Sequence, residues 1–204
     1  MSDSADHVPR RSVQEFDAMY ADTPPWDIGR PQPAFLALAT AGKLRGRVLD
    51  VGCGTGEHAL MAAERGFEAA GVDTAPSAIA IAQRKAAERG LSVRFEVFDA
   101  LDLGRLGGSF DTLLDSGLFH VFDDHDRALY VESLAAAAAP GSVYHMLCFS
   151  DRQPGDWGPR RVTRAEIEAS FANGWRIETL EPVVFETTME PSDVDGWRAE
   201  IVRA

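Results

Sequence analysis

Three short apolar runs in the chain each end at an aspartate followed by turn residues. The first is Val48-Leu49-Asp50-Val51-Gly52-Cys53-Gly54-Thr55-Gly56. Glycines at this spacing let a ligand approach the backbone closely, and the amino end of a following helix attracts negative charge. Asp50 narrows the expectation. A carboxylate two residues before the first glycine sits badly beside a pyrophosphate and suits a ligand that carries an ammonium group. The second run is Gly71-Val72-Asp73-Thr74, with Asp73 placed 17 residues after Gly56. This is close to the spacing at which an acid meets a ribose hydroxyl pair, although Asp73 can also cap the helix that follows. The third is Phe98-Asp99-Ala100-Leu101. Here the acid either accepts from an exocyclic adenine amine between apolar neighbours or simply faces water.

A fourth segment, Phe110 to His120, brings Asp115, Ser116 and His120 to the end of another apolar run. His120 is a candidate general base, since imidazole titrates near working pH, and equally a packed or capping residue. His58, His125 and His145 are not spaced as metal ligands with Cys53 or Cys148, so no metal site is expected.

These residues must be positioned by an alternation of strands and helices. The predicted strands are Arg47–Val51, Ala69–Asp73, Val93–Val97, Phe110–Asp115 and Ser142–Phe149. Helices are predicted over Glu57–Arg65, Pro76–Arg89 and Asp123–Ala139, the last stopped by Pro140-Gly141. Such alternation predicts a parallel sheet covered on both faces. Downstream, Thr163–Ala172 reads as a helix capped by Thr163 with Glu166, and Trp175–Phe185 and Trp197–Val202 as two strands joined by a loop with Pro191. Without a helix between them, the two strands pair antiparallel or not directly. Upstream, Val13–Ala21 is a short amphipathic helix, Thr23 to Pro31 a proline-stiffened loop, and Pro33–Ala41 a helix leading into the core. Residues up to Ser12 are polar and expected to fray.

The 204 residues suit one domain, with 45% apolar and 25% charged residues. A net charge of -12 repels phosphate backbones and anionic membranes, so neither nucleic acid nor membrane is expected as a partner. Two cysteines, no long apolar run and no apolar leader in the first residues make a reducing cytoplasm the expected compartment.

The segment Arg47 to Phe149 resembles the class I S-adenosylmethionine-dependent methyltransferases. The resemblance implies an α/β, Rossmann-like doubly wound fold: a seven-stranded, mostly parallel sheet with one antiparallel strand and helices on both faces. Residues 46–204 would be this core and residues 1–45 a lid on the substrate side. It also implies S-adenosylmethionine as cofactor, S-adenosylhomocysteine as product, and a monomer or homodimer. The family's contacts fall on Asp50, Gly52 and Gly54 near the methionine moiety, on Asp73 at the ribose, and on Asp99 and Ala100 at the adenine, with Cys53, Gly56 and Thr74 also implied as cofactor-binding. Asp115 stands beside the cofactor. A narrower similarity joins Pro25-Trp26-Asp27-Ile28-Gly29-Arg30-Pro31 to the Pro-Trp-Asp-x-Gly-Arg signature of thiopurine, thiol and halide methyltransferases. It implies that Trp26 and Arg30 cover the site, against the alternative that Trp26 only anchors a loop.

On this reading a methyl group passes to a small-molecule acceptor, a thiol, a halide or a small aromatic S, N or O nucleophile, by in-line displacement. A soft anion needs no base; otherwise His120, Tyr20 and Asp115 are the candidates. Selectivity is expected in Phe16, Tyr20, Trp26 and the stretch Leu118 to Phe122, and Trp157 either borders the same pocket or anchors a loop. Three other readings compete. A nucleic-acid methyltransferase lacks its Asn-Pro-Pro-aromatic motif here, and a nicotinamide oxidoreductase fits Asp50 badly. A non-catalytic cofactor-binding regulator is the third.

Overall fold

A computed structural model describes residues 12–190 and 192–204. Pro191 and the segment before residue 12 lie outside the described residues. The chain builds one seven-stranded sheet from β1 (Arg47–Val51), β2 (Glu68–Asp73), β3 (Val93–Val97), β4 (Phe110–Ser116), β5 (Ala138–Phe149), β6 (Trp175–Glu186) and β7 (Asp193–Arg203). The strand order is β3-β2-β1-β4-β5-β7-β6. Strands β1 to β5 run parallel, while β7 lies antiparallel to both β5 and β6. The expected doubly wound sheet with one antiparallel strand is therefore present.

Helices α1 (Val13–Ala18), α2 (Pro33–Thr40), α3 (Glu57–Glu64), α4 (Pro76–Arg89), α5 (Asp124–Ala137) and α6 (Arg164–Ser170) surround it. Central strands are apolar along their length because both faces are covered. In β5, Tyr144, Met146 and Cys148 face one core with Tyr130, Phe119 and Phe171. Leu147 and Phe149 face another with Phe35, Leu114 and Phe185. Helix α6 opens with the predicted capping box between Thr163 and Glu166.

Two strands, β5 and β7, begin four residues earlier than expected. The helix read as Asp123–Ala139 stops at Ala137, and Ala138 is already extended, paired with Phe110 at the start of β5. Pro140 disfavours helix at the residue before it, and the sheet takes the freed backbone. Strand β7 begins at Asp193 rather than Trp197, since 193–196 continue the ladder with β6. Gly196 makes this possible, as a Cβ there would stand 2.9 Å from the Cys148 carbonyl oxygen. Two 3-10 turns, Ala100–Arg105 and Phe119–Val121, carry no periodic signal and were not expected.

Candidate active site

From β1 the sheet grows outward through β2 and β3, then resumes on the other side of β1 with β4. A crevice opens at such a reversal, at the carboxyl ends of the strands. The cleft found there is lined by Trp26, Asp27, Gly52, Gly54, Thr55 and Ser116, among others. Its floor is the loop after β1, where Gly52, Gly54 and Gly56 have φ of 68°, 51° and 87°. Only glycine adopts these angles without strain. The three glycines serve different neighbours. A Cβ on Gly52 would meet Leu118 at 2.9 Å, and one on Gly54 the Tyr20 hydroxyl at 3.0 Å. A Cβ on Gly56 would strike Phe95 at 2.6 Å. The side-chain direction of Gly56 thus faces Phe95 of β3 and Ala82 of α4.

Asp50 is almost fully buried. Its Oδ2 accepts from the Ala59 N–H at 3.1 Å, while Oδ1 is buried with no hydrogen-bond partner among the described residues, 3.9 Å from His58 Nδ1. Burial, with the charges of Asp115 and Asp73, pushes its carboxyl up to about 8. An orphaned buried carboxylate oxygen is costly unless something cationic comes near. Asp73 holds the loop: its Oδ2 accepts from Gly54 N–H and its Oδ1 from Ala75 N–H, both at 2.9 Å. Burial raises its carboxyl against these donors. Thr74 follows it, half-buried. Asp99 is exposed and caps the Ala100–Arg105 turn through Leu101 N–H. Close by, Val97 at the end of β3 is 52% exposed, an apolar surface beside Asp73, which it faces across the ladder. Ala100 belongs to the core, with its carbonyl accepting from Ser133 Oγ at 2.7 Å. Cys53 is buried under the loop, and burial holds its thiol high.

The N-terminal segment lies over this floor. Trp26 Nε1 donates to the Tyr20 hydroxyl at 3.2 Å. Thr55 Oγ1 donates to Asp27 Oδ2, and Lys85 Nζ donates to Thr55 Oγ1, both at 2.8 Å. Gln32 N–H donates to His58 Nε2 at 3.1 Å, and the Gln32 amide pairs with both backbone groups of Glu186. Arg30 lines the cleft and forms an ion pair with Glu186. Gln32 and His58 were missed in the sequence; the position of His58 on the first turn of α3, directly after the glycine loop, was the available signal.

The three candidate bases are all otherwise engaged. Asp115 has no exposed surface. Its carboxylate accepts from Tyr144 Oη (2.6 Å), Leu118 N–H (2.7 Å), Tyr130 Oη (2.9 Å) and Phe119 N–H (3.1 Å). It therefore shapes the turn after β4 and ties it to Tyr130 and Tyr144. Burial of Tyr20, with Asp73 nearby, pushes its hydroxyl well above the ordinary tyrosine range. His120 is buried, and its Nδ1 accepts from the Phe149 N–H at 3.0 Å. In the neutral ring the proton then resides on Nε2, which removes the lone pair a base would use. Burial, with Arg161 and Arg127 adding like charge, lowers the ring to about 3.

Phe119 and Phe122 are also core residues, while Leu118 and Val121 in the same stretch are half-buried. Trp157 packs 6.1 Å from Phe149, with the Arg161 guanidinium over both rings.

Residues 48–141 match the family of methyltransferase domains. The chain is 42% identical over 165 residues to 2-heptyl-1-hydroxyquinolin-4(1H)-one methyltransferase of Mycobacteroides abscessus, covering 79% of this chain and 73% of that protein. A solved structure described under the conversion of a disulfide bond into a thioacetal group during echinomycin biosynthesis superimposes with a TM-score of 0.87 at 38% identity, over 94% of this chain and 93% of that one. Magnesium protoporphyrin IX methyltransferase from Synechocystis, with bound S-adenosylmethionine, shares the fold at a TM-score of 0.65 and 23% identity, over 84% and 76%. The chain belongs to the class I S-adenosylmethionine-dependent methyltransferases, and it is an enzyme of small-molecule methylation. The donor set at the cleft fits that cofactor: the orphaned Asp50 oxygen suits a cationic ligand, and Asp73 and Asp99 stand at successive strand ends.

Proposed function

We propose that the chain methylates a small aromatic acceptor through an acidic hydroxyl or thiol that arrives already ionised. The observation carrying this reading is the state of the candidate bases. Asp115 is saturated by four donors, His120 is fixed with its proton on Nε2, and the Tyr20 hydroxyl is held protonated. A neutral alcohol finds no lone pair among these side chains to take its proton. An N-hydroxyheterocycle, as in the name of the Mycobacteroides relative, or a thiol near neutrality brings its own negative charge. The Pro25–Pro31 segment is consistent with a thiol acceptor as well.

When bound, S-adenosylmethionine supplies the electrophilic methyl carbon for in-line displacement. The chain's own contribution is to hold the reactants and exclude water. Asp50, Gly52, Gly54, Asp73 and Asp99 hold the cofactor side on this reading. Tyr20, Trp26 and Asp27 cover the cleft, and Ser116 borders the acceptor.

The test is a product assay by mass spectrometry at pH 7 with S-adenosylmethionine and three probes: a 1-hydroxyquinolin-4(1H)-one, thiophenol and cyclohexanol. Methylation of one or both acidic probes and not of the alcohol is expected. Turnover of the alcohol at a comparable rate contradicts the proposal, as does failure of both acidic probes.

A further inference from the structure

His120 is the one candidate base whose geometry offers a different use. The ring is 6% exposed, yet its two nitrogens are unlike. Nδ1 accepts from Phe149 N–H, and Nε2 has no partner among the described residues. Nε2 is also absent from the sealed, unpartnered atoms of the interior, unlike both ring nitrogens of His145, so it keeps contact with open space. A buried N–H left without an acceptor costs free energy and is normally satisfied, by protein, water or ligand. The ring is held edge-on to Phe149 at 5.0 Å and lies 6.1 Å from Phe185. Gly117, with φ of 88°, lies against it: a Cβ there would stand 3.4 Å from Nε2. The preceding residue, Ser116, lines the cleft.

We infer that His120 is a specificity-determining hydrogen-bond donor, presenting Nε2–H to an acceptor atom of the substrate other than the atom that is methylated. The inference rests on the ionised-acceptor reading above. A donor on the reacting atom would hold back its electron pair, whereas a donor on a ring carbonyl elsewhere in the molecule orients the anion without lowering its nucleophilicity at that atom. Because the Phe149 N–H fixes the tautomer and burial, with the cationic Arg161 and Arg127 nearby, opposes a second proton, His120 stays a neutral, one-sided donor near neutral pH. Sites built around a hydrogen bond reject analogues that lack it far more strongly than apolar pockets reject a missing methylene. The substrate class is therefore an acidic N-hydroxyheterocycle or phenol that also carries a hydrogen-bond acceptor such as a ring carbonyl, in preference to a plain thiol.

Two measurements test this. The first is 15N NMR of the whole wild-type protein with S-adenosylhomocysteine, with His120 assigned by comparison with His120→Gln. Neutral imidazole with the proton on Nε2 is expected from pH 5 to 8. Its Nε2–H resonance should shift downfield on adding 1-hydroxyquinolin-4(1H)-one and stay in place with thiophenol. The second compares kcat/KM for the same probes in wild type, His120→Gln and His120→Phe. We expect His120→Phe to lose about tenfold or more on the hydroxyquinolinone and about threefold or less on thiophenol, with His120→Gln recovering most of the loss. A proton on Nδ1, no resonance shift with the hydroxyquinolinone, or equal losses on both probes overturns the inference. A resonance shift at His120 without turnover overturns the acceptor reading and leaves His120 as a ligand donor.

Discussion

Asp17 caps a helix to which it does not belong. Its Oδ1 accepts from Ser77 N–H at 2.7 Å, at the start of α4, where the local cap residue Ala75 has no side chain able to do so. The N-terminal helix is thereby fastened to the core beside the glycine loop, with Tyr20 following it over Gly54. Asp17→Ala is expected to lower stability by about 1 kcal/mol, the usual worth of a side-chain cap. It should also speed hydrogen exchange across residues 13–28 more than across α5. Unchanged exchange there would show that the segment is held by other contacts.

Asp115 gives a prediction in the opposite sense to a catalytic one. Its four donors include the buried hydroxyls of Tyr130 and Tyr144, and removing the carboxylate strands both. Asp115→Ala should cost about 3 kcal/mol or more in denaturant unfolding, as hydrogen bonds to charge and the unpaired groups left behind both count. Asp115→Asn should fall between it and wild type. A variant with native stability and no turnover would instead make Asp115 a chemical participant.

Gly56→Ala is expected to destabilise by about 2 kcal/mol or more, since the added methyl meets Phe95 at 2.6 Å and Ala82 at 2.9 Å at a left-handed φ. Thermal melting checks this. The same scan with saturating S-adenosylhomocysteine should show the ligand-induced rise in Tm largely kept.

Stability should fall as pH rises from about 6.5 to 8. Asp50 has its folded pKa raised to about 8 from 3.8, so in this window the folded state binds more protons than the unfolded state. Stability then declines with pH, by up to about 2 kcal/mol for one such group. Below this window the lowered values of His58, His120 and His145, about 4, 3 and 4, act the other way. There the unfolded state binds the extra protons and stability rises with pH. Asp50→Asn should flatten the decline between pH 6.5 and 8 in urea titrations, and an unchanged slope would assign it to another group.

Much of this architecture was legible in the residues. Strands β1 and β3 and helix α4 were read with their boundaries, because apolar runs, proline at a first helical position and glycine at a helix end are local signals. Parts decided by tertiary contact were not. Ala138 joins a strand because Phe110 is there to pair with it, and 193–196 because β6 runs alongside. At the site, Asp50, Asp73 and the glycine loop were placed together by their order in the sequence. The roles of Asp115 and His120 depended on which atoms reach them from Tyr130, Tyr144 and Phe149, partners up to 29 residues away. Spacing alone cannot identify such partners.

The central claim, that the acceptor brings its own charge, is tested most directly by the pH dependence of kcat/KM for two acceptors of different acidity. A series of ring-substituted thiophenols or 1-hydroxyquinolin-4(1H)-ones serves. The account predicts that the midpoint of the rising limb moves with the acceptor's own pKa and is unchanged in His120→Gln. One midpoint shared by all acceptors would mean that a group of the enzyme removes the proton, and would contradict it.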